Sequence, residues 1–200
     1  MEKNSKFKEN LKNFWDVIKF AIIAVIIVIP IRLFIAQPFV VSGESMFSTF
    51  HDKDYLIVDE LSYELGKPKR GDVIVFRYPN DHKRFFIKRV IGLPNEKIEI
   101  NNGKVTISPI DLSLNTQSIT LDEPYINETF NTTATYTTGN DEYFVMGDNR
   151  NHSSDSRFWG TLPEKLIIGR AYLRLLPVKN IDYLPGSLEK FNLIENTYAK

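Results

Sequence analysis

The apolar segment "DVIKFAIIAVIIVIPIRLFIAQPFVV" constrains this chain more than any other stretch. Its uninterrupted core, Phe20 to Ile31, is twelve residues long, as short as the core of a signal peptide. Extended from Val17 to Ala36 it reaches twenty residues, a bilayer-spanning length, with Lys19 and Arg32 near its ends, where both can snorkel to headgroups. Pro30 is tolerated better in a membrane helix than in a soluble one. A cleaved signal peptide wants small residues before the cut, whereas this segment ends Leu33-Phe34-Ile35-Ala36, with bulky Phe at the minus-three position. A buried soluble helix wants polar punctuation, which is missing. The segment therefore reads as an uncleaved anchor in the lipid bilayer. Lys3, Lys6, Lys8, Lys12 and Lys19 fall before or at its start, and the stretch after it has no Lys or Arg until Lys53. By the positive-inside rule the N-terminus is cytoplasmic and the remainder lies outside, in a single-pass cell-membrane topology. The expected organisation is a cytoplasmic tail over 1–16, a transmembrane anchor over 17–36 and an extracytoplasmic domain over 37–200.

Beyond the anchor the pattern is β. "DYLIVDEL" and "GDVIVFRY" are short runs rich in β-branched and aromatic residues, separated by the turn-forming "GKPKRGD". "RFFIKRVIG" follows, ended by Gly92-Leu93-Pro94-Asn95. "EKIEI" and "KVTI" flank Asn101-Asn102-Gly103, a tight-hairpin signal. The stretch from Ser108 to Asn140 is polar and rich in Thr and Asn, and predicts a small polar second lobe inserted at about 104–140. "EYFVMGDN" restores a strand, "RNHSSDSRFWG" is a polar loop, and "IIGRAYLRLLP" closes the domain. No helix with clear amphipathic periodicity is visible after residue 36. The fold class predicted is mainly β: an antiparallel catalytic domain behind one N-terminal transmembrane helix.

Composition removes several chemistries. Lysine plus arginine and aspartate plus glutamate both number 25, which argues against nucleic acid as a partner. There is no cysteine, so disulfides, Cys-ligated zinc and thiol catalysis are excluded. His51, His82 and His152 show no metal-ligand spacing, so neither metal nor cofactor is expected.

A serine hydroxyl needs a positioned base. With no cysteine and no convincing histidine, lysine remains, and Ser-Lys pairs are an established variant of triad logic. In "RFFIKRVIG", period two puts Lys88 on one face with Phe86 and Val90, and Arg89 on the other with Ile87 and Ile91. Desolvation there favours the neutral amine, and the like charges of Lys83, Arg84 and Arg89 push the same way. The free amine at pH 7 costs about 4.6 kcal/mol from an ordinary lysine pKa, so those effects must be large. "SGESMFSTF", just after the anchor, offers Ser42, Ser45 and Ser48, and spacing alone does not separate them.

Four blocks in order after an N-terminal anchor, "SGESMFSTF", "GDVIVF", "FFIKRVIGLPNE" and "YFVMGDNRNHSSDSRFWG", resemble the type I signal peptidases, in their short single-span Gram-positive-like form. The resemblance implies that Ser45 is the nucleophile and Lys88 the general base. It implies that the Ser45 backbone N–H serves an oxyanion hole whose usual second donor falls at Gly43, which has no hydroxyl. Ser153 matches the serine that hydrogen-bonds and orients the lysine. Met46 matches a residue packed near the substrate pockets. Asp148, Asp155 and Arg157 match residues that hold the last loop against the catalytic strands. Three positions depart from the family pattern: Ser48 stands for proline, Asn95 for glycine and His152 for asparagine. The partners implied are signal peptides of exported pre-proteins, with small residues at minus one and minus three, bound extended beside a strand. The rivals are another Ser-Lys protease, such as a self-cleaving repressor, and a catalytically inactive relative that binds or regulates secretory substrates without cutting.

Overall fold

The computed structural model describes residues 14–26, 36–111 and 118–187. Residues 14–26 form helix α1, with Phe14, Trp15, Phe20 and Ile26 among its exposed side chains. Among the described residues no helix is long and apolar enough to cross a membrane. The rest of the expected anchor, 27–35, lies outside the described residues, as do the tail over 1–13, part of the polar stretch (112–117) and the C-terminal 188–200. Ala36, expected as the last anchor residue, instead opens a strand.

Among the described residues twelve strands follow in chain order: β1 (Ala36–Val40), β2 (Tyr55–Asp59), β3 (Val73–Tyr78), β4 (Asp81–Gly92), β5 (Glu96–Asn101), β6 (Lys104–Pro109), β7 (Ile119–Thr120), β8 (Ala134–Thr137), β9 (Glu142–Met146), β10 (Leu162–Pro163), β11 (Ile167–Leu176) and β12 (Asp182–Tyr183). Every pairing among them is antiparallel. The main sheet runs β1-β2-β11-β3-β4-β9-β10, with β12 on β11, and a four-stranded sheet runs β7-β6-β5-β8. Short helices α2 (Leu61–Leu65) and α3 (Ser156–Trp159) interrupt the β pattern; each is one turn or little more, too brief to show a helical period.

The alternation read from "DYLIVD" is realised, with Leu56 and Val58 buried and their neighbours half-exposed. The Asn102-Gly103 turn adopts φ of 47° and 80°, the left-handed pair that a two-residue hairpin requires. Asn95 takes φ 61°, so its replacement of glycine leaves that turn intact. The polar stretch does not stand apart at residue 104. Its first strand β6 pairs along all of β5, so the smaller sheet begins at Glu96 and shares a core of Ile91, Ile98, Ile100, Val105, Ile107, Phe130, Phe144 and Met146 with strands of the main sheet.

Among the described residues, two strands of the main sheet have open edges. Strand β1 pairs, among the described residues, only with β2. Strand β4 pairs with β3 from Asp81 onward, but its other edge meets β9 only from Arg89. The half of β4 ahead of Arg89 is therefore unpaired on one side among the described residues.

Candidate active site

The turn after β1 is set by two anchors. Met46 and Phe50, at 1% and 0% exposure, enter a core with Val41, Leu56, Val73 and Ala171. Backbone bonds from Phe47 N to Glu44 O and Phe50 N to Met46 O (2.9 and 2.8 Å) coil the chain between them. That coil holds Ser45 half-buried at its upper side. Met46 is therefore core packing beneath the turn and contributes nothing to the wall of the cleft above it. Gly43 has φ 90° and commits its backbone N–H to Asp52 Oδ1 at 3.0 Å.

Strand β4 brings Lys88 to Ser45. Lys88 Nζ lies 2.6 Å from Ser45 Oγ and donates to Ile87 O at 2.8 Å. Its side chain passes Phe86, with Nζ 5.3 Å from the ring centre, and the residue is 3% exposed. Burial pushes its ammonium down to about 8, against a smaller opposing pull from Asp155 and Asp148. The expectation of like-charge assistance is corrected: Arg89 is neutralised by its own carboxylate, and the charges that reach Lys88 are negative. Desolvation does the lowering unaided.

The loop after β9 braces both residues. Asn149 N donates to Ser45 O (3.1 Å) and Asn149 Nδ2 to Glu44 O (3.1 Å). A methyl group on Gly147 would overlap the Ser45 carbonyl oxygen and Ser153 Oγ, so only glycine lets these two segments meet. Ser153 is buried at 6% exposure against Gly147, and among the described residues its hydroxyl has no hydrogen-bond partner. The expected bond from Ser153 to Lys88 is not formed, because the lysine's bonds go to Ser45 and the Ile87 carbonyl. His152 is exposed, with Nδ1 3.3 Å from Asn149 Oδ1.

Asp155 caps α3, accepting from Arg157 N (3.2 Å), Arg157 Nε (2.8 Å) and Arg157 Nη2 (2.7 Å), and its Oδ2 takes Gly147 N at 3.1 Å. Asp148 accepts Arg89 Nε at 2.8 Å, Arg89 Nη2 at 2.6 Å and Thr49 Oγ1 at 2.5 Å, and both members of the pair have 0% side-chain exposure. Arg89 also donates to the carbonyls of Gly71 and Gly186, and Tyr125 stacks on its guanidinium at 3.9 Å. Sequence reasoning missed Arg89 as the partner of Asp148, together with Thr49 and Tyr125. The available signal was the aspartate itself, since a carboxylate in a buried loop requires a cation somewhere. Ser48 has φ 85°, which a proline ring cannot adopt, and its hydroxyl donates to Tyr125 O at 2.7 Å. The serine in place of proline thus ties the Ser45 turn to the polar stretch.

Above the Ser45–Lys88 pair opens a cleft of about 440 Å³. Its walls are Phe39 to Ser42 from β1 and its exit, and Arg84 to Lys88 from β4, with Ser154 at the rim. These are the two open strand edges described above. A nucleophile touching a desolvated amine, at the floor of a slot between unpaired edges, is equipped for acyl transfer on an extended chain. Among the described residues no acidic or histidine cluster could hold a metal ion.

Residues 14–176 match the family described as "Signal peptidase, peptidase S26". The chain is 36% identical over 203 residues to "Probable signal peptidase I-2" of Synechocystis sp., covering 95% of this chain and 87% of that one. It is 37% identical over 169 residues to signal peptidase I of Leptolyngbya laminosa, covering 81% and 79%. Against signal peptidase I of Bacillus amyloliquefaciens the identity is 34% over 187 residues, covering 90% and 97%.

Proposed function

This chain belongs to the signal peptidase family, peptidase S26, as an enzyme of the signal peptidase I kind, and from that premise we propose that it cuts signal peptides from exported pre-proteins with a Ser45–Lys88 dyad. The observation that carries the dyad is the 2.6 Å contact between Lys88 Nζ and Ser45 Oγ in a setting that lowers the lysine pKa. Neutral Lys88 takes the Ser45 proton as Oγ attacks the carbonyl carbon of the minus-one residue. The backbone N–H of Ser45 faces the developing oxyanion. Lys88 then protonates the leaving amine as the C–N bond breaks, leaving an ester on Ser45. Water, deprotonated by Lys88, hydrolyses the ester and Ser45 regains its proton. Ser153, with a buried hydroxyl free of other bonds, orients Lys88 once acylation removes the Ser45 hydroxyl. Asp148, Asp155 and Arg157 hold the loop and perform no chemistry.

The substrate lies extended between β1 and β4, its backbone completing both edges while small minus-one and minus-three side chains enter the cleft wall. The exposed apolar side chains of α1 support a bilayer anchor that starts at about Val17 and ends ahead of β1, with the tail over 1–16 cytoplasmic and the strands from Ala36 onward outside. Ser45 lies nine residues past Ala36, so the chain keeps it within roughly 30 Å of the membrane surface.

The full chain in detergent should cut a purified pre-protein after a small minus-one residue, read by N-terminal sequencing of the product. No cleavage would return the chain to a non-cutting relative. With Lys88 at about 8, roughly one-tenth of it is free amine at pH 7. The value of kcat/KM should rise about tenfold per pH unit below 8 and level off above it. A flat profile between pH 6 and 9 would remove Lys88 as the base.

A further inference from the structure

Arg84 lines the cleft yet belongs to no part of the machinery above. Period two on β4 places it on the face of Phe86 and Lys88, two side chains further from the scissile bond. Its guanidinium rests over Phe86 at 5.2 Å and Tyr78 at 5.7 Å, while Phe86 and Tyr78 stack at 4.6 Å. The head is thus propped over the slot by aromatic faces rather than drawn aside by an acid. Among the described residues it and Arg77, which donates to His82 O, have no ion-pair partner, whereas Arg70, Arg89, Arg150, Arg157, Arg170 and Arg174 each have one. It is exposed, on the unpaired half of β4.

We propose that Arg84 is a specificity-determining residue that selects a carboxylate about five residues before the scissile bond. The inference rests on the proposed cleavage reaction. Four residues along β4 from Lys88 is about 13 Å, the advance of four residues in an extended substrate. With the substrate running parallel to β4, so that its minus side lies back toward Arg84, that is minus five counted from the minus-one residue attacked by Ser45, with the same side-chain parity as minus one and minus three. An Asp or Glu there meets an unpaired, pre-positioned guanidinium, and a Lys meets a like charge. Because the site is open to solvent, the selection is modest and screened by salt.

The test uses the full chain in detergent and one pre-protein carrying Glu, Gln or Lys at minus five, with the same set at plus two as control. At low salt, kcat/KM for Glu over Lys at minus five should be about fivefold, absent at plus two and lost in 0.5 M salt. R84A should bring that ratio near one, and R84E should invert it. Equal cleavage of all three minus-five substrates by the native chain, or a preference that survives in R84E, would overturn the proposal while leaving the cleavage reaction standing. If no member were cut, the parent reading would fall and this one with it.

Discussion

Replacing Ser45 by Ala should lower kcat for pre-protein cleavage by at least about a thousandfold, and Lys88→Ala should do nearly the same. The two losses should not add, because the residues act as one unit around a shared proton. The informative variant is Lys88→Arg. It keeps a cation near the same place, but a guanidinium does not give up its proton, so it should be as inactive as Lys88→Ala. Single-turnover measurement of product is the check. Activity above a tenth of native in Lys88→Arg would mean that positive charge, and not proton transfer, is what the site needs. Burial of Lys88 carries a second consequence. A lysine held near 8 when folded and near 10.5 when unfolded opposes folding below pH 8, and that penalty fades between 8 and 10.5 as the unfolded chain also loses its proton. Lys88→Met should accordingly raise the melting temperature at pH 7 while abolishing cleavage, and the gain should shrink as pH approaches 10.5.

The second large effect concerns stability. Asp148→Ala leaves Arg89 charged, with no side-chain exposure and no carboxylate. Breaking one member of such a pair costs about 3–5 kcal/mol, a large share of the total stability of an ordinary domain. For a chain of this size that is a fall of roughly 10 °C in melting temperature. The double variant Asp148→Leu, Arg89→Leu should recover part of the loss, because no uncompensated charge remains. A fall of under 2 °C in Asp148→Ala would show that water or another group takes over the guanidinium. Thr49→Val removes only one donor to Asp148, and should cost about 1 kcal/mol.

Local signals carried most of the architecture. Runs such as "DYLIVD" and "EKIEI" alternate because one face is buried, and Asn102-Gly103 encodes its turn by backbone preference alone. What escaped was non-local. Strand β1 reads "AQPFV", with Pro38 and no alternation, and becomes a strand only because β2 pairs with it; proline is acceptable there because the strand is an edge. The Val90 end of β4 is buried on both faces, so period two could say which face held Lys88 but not that Arg89 was equally buried. Its partner Asp148 lies 59 positions along the chain, and no spacing rule links them. The stretch 104–140 needs few apolar residues of its own, because Val105, Ile107 and Phe130 land on an existing core.

The unpaired edges of β1 and β4 reach beyond recognition. In the proposed extended mode of binding, a guest must present unbonded backbone to both edges. A helix or a sheet interior presents no free amides and carbonyls, so a folded neighbour is refused whatever its sequence. On that proposal the enzyme discriminates by timing. A cleavage junction is open to it while the passenger behind is still unfolded, and closes once that segment joins a fold. Rapidly folding cargo and cleavage compete for the same few residues, and a short disordered spacer at the start of a mature protein would settle that race in favour of release.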